Sequence, residues 1–268
     1  MTMRRPYLEH YVSPMAMPEI RRVDMTRPWF WLAEGWRDFV AAPGLSLAYG
    51  LAATLAFALV SLLLGSAGSW HWAIALMPGF LFLGPVLAVG LYEVARRREG
   101  ELDSTLDDTR HGWRRNTMTT YSLGIIMVLL MLAWFVTSMQ LTALFVANAM
   151  VMAQVFGGAP DLATFLTSIT WPMLAAVSIS GALALTIAFM LTAVSVPLAV
   201  DHEDIDVITA MMVSVKAVVK NGPVMLLWAG LIAVFAGIGI LPLYLGLIVT
   251  FPLLGYATWH AYRDIVGQ

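Results

Sequence analysis

The chain has 268 residues, of which 60% are hydrophobic and 12% charged, and its formal net charge is −2. That balance excludes a water-soluble domain, and apolar runs of about twenty residues point to a multi-span helical membrane protein. The chain has no cysteine, which excludes disulfides, iron–sulfur clusters, thiolate metal sites and covalent c-type haem.

In lipid every backbone polar group must be satisfied within the protein, so helices or closed barrels are required. The runs are continuously apolar and do not alternate, which argues against a transmembrane barrel. The expected fold is all-α. It is a polytopic membrane bundle of six transmembrane helices with cytoplasmic interfacial amphipathic helices.

Residues 1–28 read as a polar tail without a clear period. They contain Arg4, Arg5, Arg21, Arg22 and Arg27 but no apolar core segment, so the first span is expected to act as an uncleaved insertion signal. Thr26 followed by Arg27-Pro28 has the form of a helix start. From there Phe30, Ala33, Trp36 and Val40 recur at helical spacing, so 28–42 reads as an amphipathic interfacial helix. Trp29, Trp31 and Trp36 suit that depth. Pro43-Gly44 breaks it.

The membrane domain is expected over 29–266, with spans at about 45–65, 72–95, 118–147, 172–200, 223–240 and 243–264. Pro78 and Pro85 should bend the second span, which ends at Arg96-Arg97-Arg98. A charged connector follows, with Ser104-Thr105-Leu106-Asp107 resembling a capping box. The third apolar run extends from Met118 to about Gln154, some 55 Å of helix against a hydrocarbon core of about 30 Å. It must either project beyond the far face or break near Ala147-Asn148. Asp161–Thr170 reads as a short interfacial helix before the fourth span. In the next connector Ile208, Met211, Met212, Val215, Val218 and Val219 form an amphipathic stripe.

The order of parts recurs. An interfacial helix, a break, a span, a tight turn and a proline-bearing span describe 29–98, then 204–268, and less cleanly 101–203. Three repeats would explain this; the general alternation of polar and apolar segments in any polytopic protein would also do so. All fifteen Lys and Arg residues lie in the tail, the connectors or the C-terminal end. With six spans these segments share one side, and the positive-inside rule makes that side cytoplasmic in a bacterial inner membrane, with both termini inside.

No ionisable residue sits mid-span, which weakens a proton- or ion-coupled carrier. Thr137, Ser138, Gln140, Ser178 and Ser180 are expected to form interhelical hydrogen bonds. Gly230, Ala233 and Gly237 suggest close packing. The histidines show no metal spacing, no nucleotide or hydrolase motif is present, and no cofactor or nucleic-acid partner is implied. Arg37, Asp38, Glu93, Arg96, Asp201, His260, Tyr262 and Arg263 gather at the cytoplasmic helix ends. They form either cross-span ion pairs or a polar site.

Three stretches carry a family resemblance: Trp31-Leu32-Ala33-Glu34-Gly35-Trp36-Arg37-Asp38-Phe39; Gly84-Pro85 with Gly90-Leu91-Tyr92-Glu93; and Pro252 through Asp264. They resemble the bacterial integral-membrane family of unknown function number 2189. Some of its members carry a cytochrome c oxidase subunit label. The resemblance implies a membrane protein without an assigned activity, compatible with an accessory place beside a respiratory oxidase. With no intramembrane histidine here for haem or copper, a catalytic oxidase role is not implied. The reading is a non-enzymatic accessory, assembly or scaffold protein in contact with the bilayer and other membrane proteins; a small-solute transporter or channel is the alternative.

Overall fold

The computed structural model describes residues 18–66, 79–155 and 162–266. Eleven helices lie within them: α1 Arg27–Ala41, α2 Pro43–Ser66, α3 Gly79–Leu87, α4 Val89–Glu99, α5 Thr109–Arg115, α6 Thr117–Val155, α7 Leu162–Thr192, α8 Ser195–Asp201, α9 Val207–Lys220, α10 Gly222–Ile240 and α11 Leu247–Ile265. The described residues contain no strand beyond one isolated bridge, Ile20 to Val266. Four segments are long and apolar enough to cross a membrane: Pro43–Leu63, Thr117–Asn148, Thr170–Asp201 and Gly222–Ile240. The start of the expected second span, with Pro78, lies outside the described residues.

The core is organised around α11. It packs against α1, α2, α4 and α10, and Phe251 to Trp259 are all buried. Two glycines allow this closeness. A Cβ on Gly50 of α2 would sit 2.1 Å from the Ile248 carbonyl oxygen, and one on Gly35 of α1 would sit 2.8 Å from the Ala257 nitrogen. Both contacts are below any real van der Waals separation, so only glycine lets these backbones meet.

α1 spans the expected residues, but its inward face is not the expected one. Trp31, Gly35, Asp38 and Phe39 are buried, while Trp29, Phe30, Trp36 and Val40 are exposed. The apolar spacing read from the sequence marks the outward face; the face that packs contains a glycine and an aspartate. α9 behaves alike. Ala210, Val213, Ser214 and Ala217 are buried against the bundle. Ile208, Met212 and Val219 of the apolar stripe are exposed. Small residues pack because they let helices approach.

α6 continues without a break through Ala147-Asn148 to Val155. Its 39 residues make about 58 Å of helix. The expected short helix at 161–170 is not separate: α7 runs from Leu162 through Pro172. Proline costs little here because it lies within the second to third turn. The capping box lies one residue later than expected. The Thr105 N–H and hydroxyl donate to Asp108 Oδ2 at 2.8 and 2.7 Å, and the Asp108 N–H returns to Thr105 Oγ1 at 3.4 Å. These bonds, the hydroxyl's first, hold the Asp108 carboxyl below the usual carboxylate range.

The intramembrane hydroxyls expected to link helices bond within their own. Thr137 donates to Ala133 O, Ser138 to Trp134 O and Ser180 to Val177 O. An i−4 or i−3 carbonyl is always in reach, so no neighbour is needed. Gly230 and Gly237 are not packing contacts either, since a Cβ on either would meet nothing within 4 Å.

The three bend prolines act differently. Pro85 lies inside α3, which yields to α4 at Ala88. Pro197 is the third residue of α8, just after the break at Ala193-Val194, where the Val194 N–H donates to Ser214 Oγ at 3.1 Å. Pro252 sits in α11 without ending it. Between α10 and α11, Leu243 and Tyr244 have φ of 55° and 68°. That left-handed corner is costly for side-chain-bearing residues. It is tied to α2 by Tyr244 OH to Ser61 Oγ at 2.8 Å and by Thr54 Oγ1 donating to Tyr244 O at 3.0 Å.

Candidate functional site

The last two turns of α11 carry Trp259, His260, Tyr262, Arg263 and Asp264. At 3.6 residues per turn consecutive side chains point around the helix. A helix surrounded on most sides can therefore reach several neighbours at once.

His260 Nε2 is 2.7 Å from Asp38 Oδ2 on α1. Asp38 Oδ1 accepts from Arg98 Nε on α4 at 2.9 Å. Glu99, the next residue of α4, accepts from Trp259 Nε1 at 2.9 Å and pairs with Arg263 Nε at 3.0 Å. Arg263 reaches on to Asp201 Oδ2 on α8 at 3.1 Å, and the same oxygen accepts from Tyr262 OH at 2.6 Å. Asp264 accepts from Arg27 Nε at 2.5 Å and from Trp31 Nε1 at 2.9 Å. One helix end thus ties α1, α4 and α8 together through charged hydrogen bonds.

Glu93 and Arg96 form a bidentate pair within α4, both bonds 2.8 Å, with Glu93 buried. The Glu93 hydrogen bond, partly opposed by burial, raises the Arg96 guanidinium above its ordinary value; Asp201 and Glu203 add attraction. Arg115 donates to the carbonyls of Val200 at 2.7 Å and Asp201 at 3.3 Å, and Asn116 to those of His202 and Ile205. These are the acceptors left free where α8 ends. The N-terminal segment is strapped over the same end. Asn221 Nδ2 donates to Arg21 O at 3.0 Å, its Oδ1 accepts from the Val23 N–H at 3.0 Å, and Lys220 Nζ donates to Ile20 O at 2.6 Å.

Of the eight residues singled out from sequence, Asp38 and His260 meet in one pair, and Asp201, Tyr262 and Arg263 in one cluster. Glu93 and Arg96 pair beside them. Arg37 stands apart: its side chain is 73% exposed and pairs with Glu34 on its own helix. Arg98, Glu99, Asp264, Arg27 and Trp31 belong to the network and were not singled out. Trp31 was expected at the membrane interface, but it is fully buried, edge-on to Trp228. The signal for Arg98 and Glu99 was present. An α4 that runs on to Glu99 puts them a turn beyond Ala95, on the same face.

Chemically, this constellation joins helices. The carboxylates named are occupied by cations, hydroxyls or ring N–H groups. Among the described residues no group of three or more His, Asp or Glu could hold a metal ion.

A cleft of about 360 Å³ opens lower in the bundle, between α3, α4, α7, α10 and α11. Its walls include Leu185, Phe189, Met225, Ile232, Phe251 and Leu254. The hydroxyls of Thr186, Thr192 and Thr258 also line it, and each already donates to a carbonyl of its own helix at 2.7 Å.

Residues 73–201 match a family described as predicted integral membrane protein (DUF2189). This is the family that the sequence resembles. Gly84-Pro85 and Gly90–Glu93 fall inside the match, while Trp31–Phe39 and Pro252–Asp264 fall outside it. No curated protein and no solved structure matches the chain.

Proposed function

From that family match, we propose that this integral membrane protein is a non-enzymatic accessory, assembly or scaffold component of the bacterial inner membrane, with a respiratory oxidase as the partner class. The supporting observation is how its polar end is used. Asp38, Glu93, Glu99, Asp201 and Asp264 are all engaged by neighbouring side chains, which is the arrangement of a rigid frame. Meanwhile α1 and α9 turn Trp29, Phe30, Trp36, Ile208, Met212 and Val219 outward, a surface suited to the membrane interface or to a membrane-embedded partner.

The proposed topology has six spans. α2, α6, α7 with α8, and α10 are four of them; α3 with α4, and α11, complete the set. The parts α1–α2–α3/α4 and α9–α10–α11 recur in order, each with an interfacial helix and a proline-bearing second span. All Lys and Arg residues then face the cytoplasm, as do both termini. A reporter fused after Gln268 that is active only in the cytoplasm is expected; activity only outside would sink the topology.

The accessory reading is tested by affinity purification in mild detergent with a deletion strain alongside. A co-purifying membrane complex whose level falls in the deletion strain is expected. Recovery as a lone species with normal oxidase levels would count against it. The alternative, a small-solute carrier or channel, needs polar walls, and the cleft offers hydroxyls already bonded to their own helices.

A further inference from the structure

The cleft has a location, length and chemistry that fit one kind of occupant. It runs along α10 from Gly222 to Ala233, about 16 Å of helix, which is half of a hydrocarbon core of about 30 Å. Gly222 lies at the charged end of the bundle, so the cleft covers the depth of a single leaflet. Its mouth faces outward between two apolar spans, because the lining residues Leu226 and Ala233 on α10 and Thr186 on α7 are exposed. Its back wall is closed by buried Tyr92, Trp228 and Leu254.

A hydrophilic solute would lose its water there without gaining partners. A hydrocarbon chain would lose nothing, but it is equally at home in the bilayer, so shape and headgroup must decide its residence. The headgroup end has a distinct feature. The chain has only two lysines, Lys216 and Lys220, both on α9. They flank Val218, which lines the charged end of the cleft. Both lysines are exposed, on the face that also presents Ile208, Met212 and Val219. The acidic residues of this segment, Glu203, Asp204 and Asp206, lie at the opposite end of α9. Lysines at the membrane surface attract anionic headgroups.

We infer that the cleft is a lipid site that takes one acyl chain of an anionic phospholipid from the leaflet at the charged end, with its headgroup beside Lys216 and Lys220. The site goes beyond the scaffold reading and does not depend on it.

Native mass spectrometry of the full chain, purified in mild detergent, tests this. A single retained phospholipid is expected, enriched in phosphatidylglycerol or cardiolipin over the membrane extract. Ala229→Trp, which fills the cleft, should lose the adduct. The double variant Lys216→Gln, Lys220→Gln should keep an adduct without the anionic enrichment. No adduct on the native chain, an unchanged adduct with Ala229→Trp, or unchanged enrichment in the double variant would overturn the assignment. Should Ala229→Trp not fold, the native chain in phosphatidylglycerol vesicles with acyl-chain-brominated lipid gives an independent reading. The emission component removed by Trp228→Phe should be quenched, and an unquenched component overturns the site.

Discussion

Replacing Asp38 by alanine should loosen three helices at once. The carboxylate is 7% exposed and holds Arg98 of α4 at 2.9 Å and His260 of α11 at 2.7 Å. Removing one member of a fully buried pair costs about 3–5 kcal/mol, because the other charge stays buried and uncompensated. Here the Arg98 side chain is 31% exposed, so water can take over part of its solvation, and an exposed pair is worth only about 0–1 kcal/mol. The expected cost of Asp38→Ala lies between, at about 2 kcal/mol. Reversible unfolding in mixed micelles, followed by tryptophan emission, measures it. A double-mutant cycle with Arg98→Ala should return about 1–2 kcal/mol of coupling. The same cycle in high salt should change little, since partly buried charges are weakly screened. Arg37→Ala is the control, because that exposed side chain pairs only with Glu34 and should cost less than about 0.5 kcal/mol. If Asp38 and Arg98 were additive within about 0.3–0.5 kcal/mol, the network would not be holding the helices together.

Gly50→Ala should separate α2 from α11, at about 1–3 kcal/mol or loss of monodisperse protein on size exclusion. Gly44→Ala, where a Cβ meets nothing within 4 Å, should be tolerated. Asp206 accepts from the Ile208 and Thr209 N–H groups at 3.0 Å each, and its bonds to Thr209 hold its carboxyl below the usual range. A lowered folded pKa stabilises above the unfolded value of about 4, and that stability disappears as pH falls through the folded value. Asp206→Ala should thus cost about 1 kcal/mol at neutral pH, and the difference from the native chain should vanish in acid. Asp264→Asn, which weakens the hold on Arg27 and Trp31, should speed proteolysis of the N-terminal segment; equal cleavage rates would count against that tie.

The helix boundaries were the most legible part of the fold. Pro43-Gly44 and Asn221-Gly222-Pro223 mark where α1 gives way to α2 and α9 to α10, because proline cannot continue the ladder behind it but suits the first turn of the next helix. Facing was less legible. Hydrophobic period identifies a buried face in water, but in a membrane protein apolar residues also point at lipid. Phe30, Trp36, Ile208 and Val219 therefore formed the clearest stripes and are on the outside. The packing faces, Gly35 with Asp38 and Ala210 with Ala217, are small or polar and leave little trace in a hydropathy pattern. The polar cluster was legible as a level, since charges gather at one end, but not as pairings. Glu99 reads as the start of a connector until α4 is seen to continue through it.

That distinction also accounts for α11. Its residues Thr250, Tyr256, Thr258, Trp259, Tyr262 and Arg263 make it too polar to stand out as a span, and it is not among the four segments apolar enough to cross alone. Such a requirement applies to helices that face lipid. α11 faces α1, α2, α4 and α10, so its hydroxyls and indoles meet protein. Ser46 Oγ lies 3.2 Å from Tyr256 OH, and the Thr258 hydroxyl donates to Leu254 O. On the six-span reading a central helix is free to carry the polar contacts that fix its neighbours, while the surrounding helices carry the hydrophobicity. The sequence Phe251 to Asp264 is aromatic and charged because it is the inside of the bundle, and the apolar runs around it are its boundary with the membrane.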